Sequence, residues 1–106
     1  MPAIRLIIAA DEPAVFFASI EDAERGLEWI DVRNGVYVEA FGPDGERFEI
    51  REDGRRVHIS PLAGEPRPDV LRALLIRFLT AVGSGFSLDA SLDELLQACE
   101  PFVRRG

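Results

Sequence analysis

Between residues 36 and 61, apolar and polar side chains alternate with a period of two, and two glycine turns cut the alternation into three runs. Val36, Val38 and Ala40 alternate with Tyr37, Glu39 and Phe41, and Gly42-Pro43-Asp44-Gly45 turns the chain. Phe48 and Ile50 alternate with Arg47, Glu49 and Arg51, and Asp53-Gly54 turns it again. Val57 and Ile59 alternate with Arg56, His58 and Ser60 before Pro61 ends the run. Successive strand side chains point to opposite faces, and Asp-Gly is a strong hairpin signal. The segment predicts an antiparallel three-stranded meander with one apolar and one mixed-charge face.

The flanks supply what that apolar face packs against. Residues 3–9 read as a strand, with Ile4, Leu6 and Ile8 on one parity and Arg5 and Ile7 on the other. The β-favouring run 14–18 (AVFFA) is either its continuation or a second short strand. Ser19 is a good N-cap for a helix whose apolar stripe is Ile20, Ala23, Leu27 and Ile30. Gly26 inside that helix costs about 1 kcal/mol against Ala, so the helix is expected to be short. After a loop at 62–68, Leu71, Leu74, Leu75, Phe78, Leu79 and Val82 form an unbroken helical stripe over 68–82, with Pro68 in the first turn and Gly83 at the stop. Residues 84–90 form a loop. Ser91 and Glu94 make a capping box for a last helix reaching about Cys99, which Pro101 closes. The expected order is β-(β)-α-β-β-β-α-α: a single α+β domain over residues 1–106, with an antiparallel sheet (the three-stranded meander plus the N-terminal strand) and helices on one face.

The chemistry available to such a domain is narrow. All 12 basic residues are arginine, which excludes a lysine Schiff base and a P-loop lysine. His58 and Cys99 are single representatives of their types, so a zinc site of ordinary composition and an intramolecular disulfide are both excluded; no metal or cofactor is expected. The apolar stretch at residues 6–10 is shorter than the ~7 residues of a signal h-region, and acids follow it at once, so a cytoplasmic chain with no membrane span is expected. A net charge of −7 and no basic stripe argue against nucleic acid.

That charge is uneven. Residues 1–53 hold 13 acids and 5 arginines, whereas residues 54–106 hold 6 acids and 7 arginines. Within 11–31 seven acids (Asp11, Glu12, Glu21, Asp22, Glu24, Glu28, Asp31) stand against Arg25 alone. Such a segment is either a solvated helix face or an electrostatic docking face for a basic partner. Trp29 bears on the choice. If the helix persists to residue 29, Trp29 lies opposite the apolar stripe, among the acids, as a binding anchor would. If the helix ends at Glu28, Trp29 turns back into the core. Tyr37 and Phe41, which share a strand parity with Glu39, either extend such a patch or are covered by the 62–68 loop.

Other candidates carry less. His58 lies on the polar parity of its strand, where Glu39, Glu49 or Glu52 could reach it. Cys99 sits among Leu95, Leu96 and Phe102 as a small hydrophobe. Gly83-Ser84-Gly85 follows a helix, which suits a C-cap rather than a phosphate loop.

The run Ser19-Ile20-Glu21-Asp22-Ala23-Glu24-Arg25, then Leu27-Glu28-Trp29-Ile30-Asp31-Val32, Asn34-Gly35-Val36-Tyr37 and Asp44-Gly45-Glu46-Arg47, resembles small acidic bacterial proteins, some of them similar to immunity proteins of polymorphic toxin systems. The resemblance covers about the first half of the chain and implies a class: a non-catalytic protein that binds another protein. The expectation is therefore an acidic protein-binding module whose contact residues are Glu21, Asp22, Glu24, Glu28, Trp29 and Asp31, acting by occlusion of a basic protein. The alternatives are a small enzyme or ligand-binding domain using His58 and nearby carboxylates, and a homodimer formed through the outward sheet face or the last helix.

Overall fold

The computed structural model describes residues 3–11 and 13–104; Glu12, counted above among the acids, lies outside them. It is an α+β structure around one six-stranded sheet. The strands are β1 (Leu6–Ala9), β2 (Ala14–Phe17), β3 (Glu39–Phe41), β4 (Arg47–Glu52), β5 (Val57–Pro61) and β6 (Val103–Arg104), in the spatial order β5-β4-β3-β1-β2-β6. The run 14–18 is thus a second strand, hairpinned to the first through Ile7↔Phe16 and Ile8↔Val15. The expected antiparallel four-stranded core is present, but the sheet is mixed, because β6 joins β2 in parallel at Phe16↔Val103. A two-residue strand carries no periodicity of its own, and the chain passes Pro101 in a 3₁₀ turn (Glu100–Phe102) to reach it.

Among the described residues, four α-helices pack on this sheet: α1 (Ile20–Gly26), α2 (Trp29–Arg33), α3 (Pro68–Ala81) and α4 (Leu92–Cys99). They do not share one face, as the sequence led us to expect. α3 and α4 cover the face bearing Ile7, Phe16 and Phe41, and pack Leu71, Leu75, Leu79, Leu95 and Cys99 against it. α1 and α2 cover the opposite face, where Ala23 and Leu27 meet Leu6, Ile8, Phe17, Ala40, Val57 and Ile59. The strand β1 is central and covered on both sides, which is why LIIA is apolar without alternation. Ile4 precedes the strand and joins Ile7 rather than the Leu6–Ile8 side. β3 likewise buries Ala40 on one face and Phe41 on the other. Only β4 and β5 keep the expected two-faced pattern, with Phe48, Ile50, Val57 and Ile59 on the α1–α2 side.

The first predicted helix is two helices. Ser19 caps α1 by accepting the Asp22 N–H at 3.0 Å. The helix then stops at Gly26, and Leu27 (φ −91°, ψ 141°) and Glu28 (φ −90°, ψ 133°) are extended. The break lets Leu27 reach the core, while Ile30, the last member of the expected stripe, is left exposed. α3 buries every expected stripe residue except Val82. The α4 capping box is complete, and Arg72 ties the 84–90 loop to α3 through the carbonyls of Leu88 and Ala90. No helix among the described residues is long and apolar enough to cross a membrane.

Candidate functional site

The chain break after α1 decides where the acidic segment goes. α1 and α2 form one wall of an open groove of about 800 Å³, and the end of the β4–β5 hairpin forms the other. The helical wall contributes Glu21, Glu24, Arg25, Leu27, Glu28, Trp29 and Ile30; the hairpin contributes Arg55, Arg56, Val57 and His58. Four of the six expected contact residues therefore meet at one surface. Asp22 and Asp31 do not line it. Asp22 is paired with Arg25 one turn on.

The acids on the groove are not equivalent. Glu24 reaches across it: its Oε2 accepts the backbone N–H of Ile59 on β5 at 2.8 Å. The carboxylates of Glu21 and Glu28 have no hydrogen bond or ion pair among the described residues, and neither do the guanidinium groups of Arg55 and Arg56 opposite. The groove thus has two unengaged anions on its helical wall and two unengaged cations on the hairpin that bounds it, with an apolar floor of Leu27, Trp29 and Val57. It is amphipathic and bipolar, which the local charge count could not show.

Trp29 takes neither sequence alternative outright. The helix ends before it and a new one begins with it. Its ring packs partly against the α1–α2 core while its remaining surface lines the groove. The Arg33 guanidinium lies over the ring, 4.8 Å from its centre, and also binds Glu52 on β4 through Nε (3.0 Å) and Nη2 (3.2 Å). Glu52 in turn accepts the Gly54 N–H. The Arg33 guanidinium, helped by that amide, holds the Glu52 carboxyl below its usual range. Trp29 is therefore anchored to the hairpin that forms the opposite wall.

The hairpin tip is fixed by Asp53. Its carboxylate is hydrogen-bonded to His58 Nε2 at 2.8 Å and accepts the N–H groups of Arg56 and Arg55. His58 first, then those two amides, push the Asp53 pKa well below the ordinary aspartate value. Of the carboxylates within reach of His58, it is thus Asp53 rather than Glu49 or Glu52 that binds the ring. The turn carboxylate five residues away takes the ring, Glu52 is committed to Arg33, and Glu49 lies beside Arg51. Tyr37 and Phe41 do not extend the groove. Phe41 is buried under α3, and Tyr37 packs against the α1–α2 core. Cys99, the last residue of α4, is buried against α3 and the sheet, and desolvation pushes its thiol up to about 12. Gly83 caps α3 at φ +72°. Among the described residues, no three His, Cys, Asp or Glu side chains are placed to hold a metal ion.

Sequence reasoning missed Arg55, Arg56 and the Glu24–Ile59 contact. The Asp53-Gly54 turn placed the two arginines at a hairpin tip, but nothing local indicates that a helix 30 residues earlier folds against it. No family model matches the chain, and no curated protein and no solved structure shows significant similarity to it.

Proposed function

We propose that this chain is a non-catalytic protein-binding module, of the inhibitor or immunity type, and that its contact surface is the groove between α1–α2 and the β4–β5 hairpin. The observation that carries this reading is the convergence on one 800 Å³ groove of Trp29, Leu27 and the unengaged carboxylates of Glu21 and Glu28. A partly exposed aromatic rimmed by charge is the composition of a binding hot spot, and its attachment through Arg33 to Glu52 limits the ordering cost of binding. The partner would place a partly apolar segment here, with basic groups for Glu21 and Glu28 and an acidic group for Arg55 and Arg56, and be held stoichiometrically, its own working surface covered.

The test is affinity capture from the source cell, with the native chain, Trp29→Ala, and the double variant Glu21→Lys, Glu28→Lys run side by side. The reading expects one protein retained by the native chain and lost from both variants, with an association rate that falls at least tenfold between low and moderate salt. A partner retained equally by the variants, or binding without regard to salt, would place the contact elsewhere.

A further inference from the structure

Three carboxylates (Glu21, Glu24, Glu28) and three guanidinium groups (Arg25, Arg55, Arg56) line the groove, in a chain whose net charge is −7. The acidic surface is therefore locally balanced at this one place. Internal contacts divide the six. Arg25 is paired with Asp22, and Glu24 is bonded to the Ile59 N–H. At the hairpin tip the Asp53 carboxylate binds the His58 ring and the backbone N–H groups of Arg55 and Arg56, not their guanidinium groups. Among the described residues, one pair of each sign stays open: Glu21 and Glu28 on the helical wall, Arg55 and Arg56 on the hairpin.

This matters once the groove is covered. An occupant lying on Leu27 and Trp29 takes water from the charges on both sides, and a charge that loses water without gaining a partner opposes binding. An all-basic segment answers Glu21 and Glu28, but it desolvates Arg55 and Arg56 and sets like charge beside them. An all-acidic segment does the reverse. Only a segment carrying both signs, with an apolar stretch between them, leaves neither pair unanswered. Selectivity of this kind comes from the penalty against wrong occupants as much as from attraction to the right one. We infer that Arg55 and Arg56 are specificity-determining residues, which turn away the all-basic segments that the net charge of the chain attracts and admit a charge-split segment. The inference rests on the groove being the partner surface and says which segments that surface accepts.

Trp29 is the single tryptophan of the chain, so its emission reports occupancy of the groove by a ligand that has none. The probes are three blocked peptides: charge-split acetyl-Arg-Arg-Leu-Leu-Glu-Glu-amide, all-basic acetyl-Arg-Arg-Leu-Leu-Arg-Arg-amide and all-acidic acetyl-Glu-Glu-Leu-Leu-Glu-Glu-amide. Titrations at about 0.15 M salt, with a screening length of roughly 8 Å, leave the decision to local pairs rather than to net charge. The native chain is expected to bind the charge-split peptide at least about fivefold more tightly than either of the others. In the double variant Arg55→Glu, Arg56→Glu the all-basic peptide should become the tightest ligand; in Glu21→Arg, Glu28→Arg the all-acidic one should. The four substituted side chains carry no hydrogen bond or ion pair among the described residues, so these variants keep the fold, which amide spectra check. Tightest binding of the all-basic peptide by the native chain, or an order of affinity that the hairpin variant leaves unchanged, would overturn the selectivity assigned to Arg55 and Arg56 while leaving a docking groove in place. A Trp29 emission that none of the peptides alters would overturn it too. Loss of the cellular partner from the Trp29 and Glu21/Glu28 variants is read independently of all of these.

Discussion

The Glu24 carboxylate on α1 accepts the backbone N–H of Ile59 on β5 at 2.8 Å, across 35 residues of chain. The contact closes α1 onto the last strand of the sheet and holds one side of the groove to the other. Truncation to Glu24→Ala leaves that amide without its acceptor and is expected to destabilise the fold by about 1 kcal/mol. Glu24→Gln keeps an acceptor oxygen and should stay within about 0.5 kcal/mol of the native chain. Urea unfolding of the three proteins distinguishes this contact from a decorative one, since a surface ion would make Ala and Gln equivalent.

Gly45 and Gly83 both have positive φ, +89° and +72°, but their surroundings differ. A Cβ on Gly45 would lie 2.5 Å from the Pro68 nitrogen and 2.7 Å from its Cα, against backbone that starts α3, whereas a Cβ on Gly83 meets nothing within 4 Å. Gly83→Ala therefore incurs only the left-handed backbone penalty, about 1 kcal/mol. Gly45→Ala incurs that and the clash, and should cost about 2 kcal/mol or more. Thermal unfolding is expected to show the Gly45 variant melting well below the Gly83 variant.

Asp53 makes the hairpin tip sensitive to acid. Its pKa in the fold is depressed, by His58 first and then by the Arg56 and Arg55 amides. A depressed carboxylate contributes stability above its unfolded pKa and loses that contribution as pH falls through the folded value. The stability difference between the native chain and Asp53→Asn should therefore narrow as pH is lowered from about 5 to about 2. Because the pair is exposed, added salt should reduce the effect. Denaturation curves at several pH values measure it; a difference that does not change over this range would mean that the tip is held otherwise.

Cys99 is fully buried between α3, α4 and the sheet, with its thiol pushed up to about 12 by desolvation. The thiolate fraction at neutral pH is accordingly negligible. Reaction with a thiol reagent should be at least about a hundredfold slower in the native protein than in the denatured chain. Rapid native-state labelling would show that α4 opens far more readily than its capping box and buried Leu95 and Leu96 imply.

Local pattern was sufficient wherever an element depends on its own residues. The β4–β5 alternation, the Leu71-to-Leu79 stripe and the Ser91–Glu94 box all form as the chain spells them, because period and capping are properties of a few neighbouring positions. The short first helix was foreseen from Gly26, but its exact break at Leu27 was not, since the need to bury Leu27 arises from strands elsewhere. Val38 shows the reverse failure. Its alternating position suggested an inward side chain, yet β3 begins only at Glu39 and Val38 is left exposed.

The amino-acid order by itself determined the α+β class, the meander, the two C-terminal helices, the surplus of acid in the first half and the lack of lysine chemistry. Tertiary structure alone decided that helices cover both faces of the sheet, that β6 returns to pair with β2, and that Arg55 and Arg56 stand across a groove from Glu21 and Glu28. The reason is the range of the forces involved. Periodicity and caps act over a few residues, whereas which apolar face a helix covers, and which charge then lies opposite another, follow from burying every strand face at once.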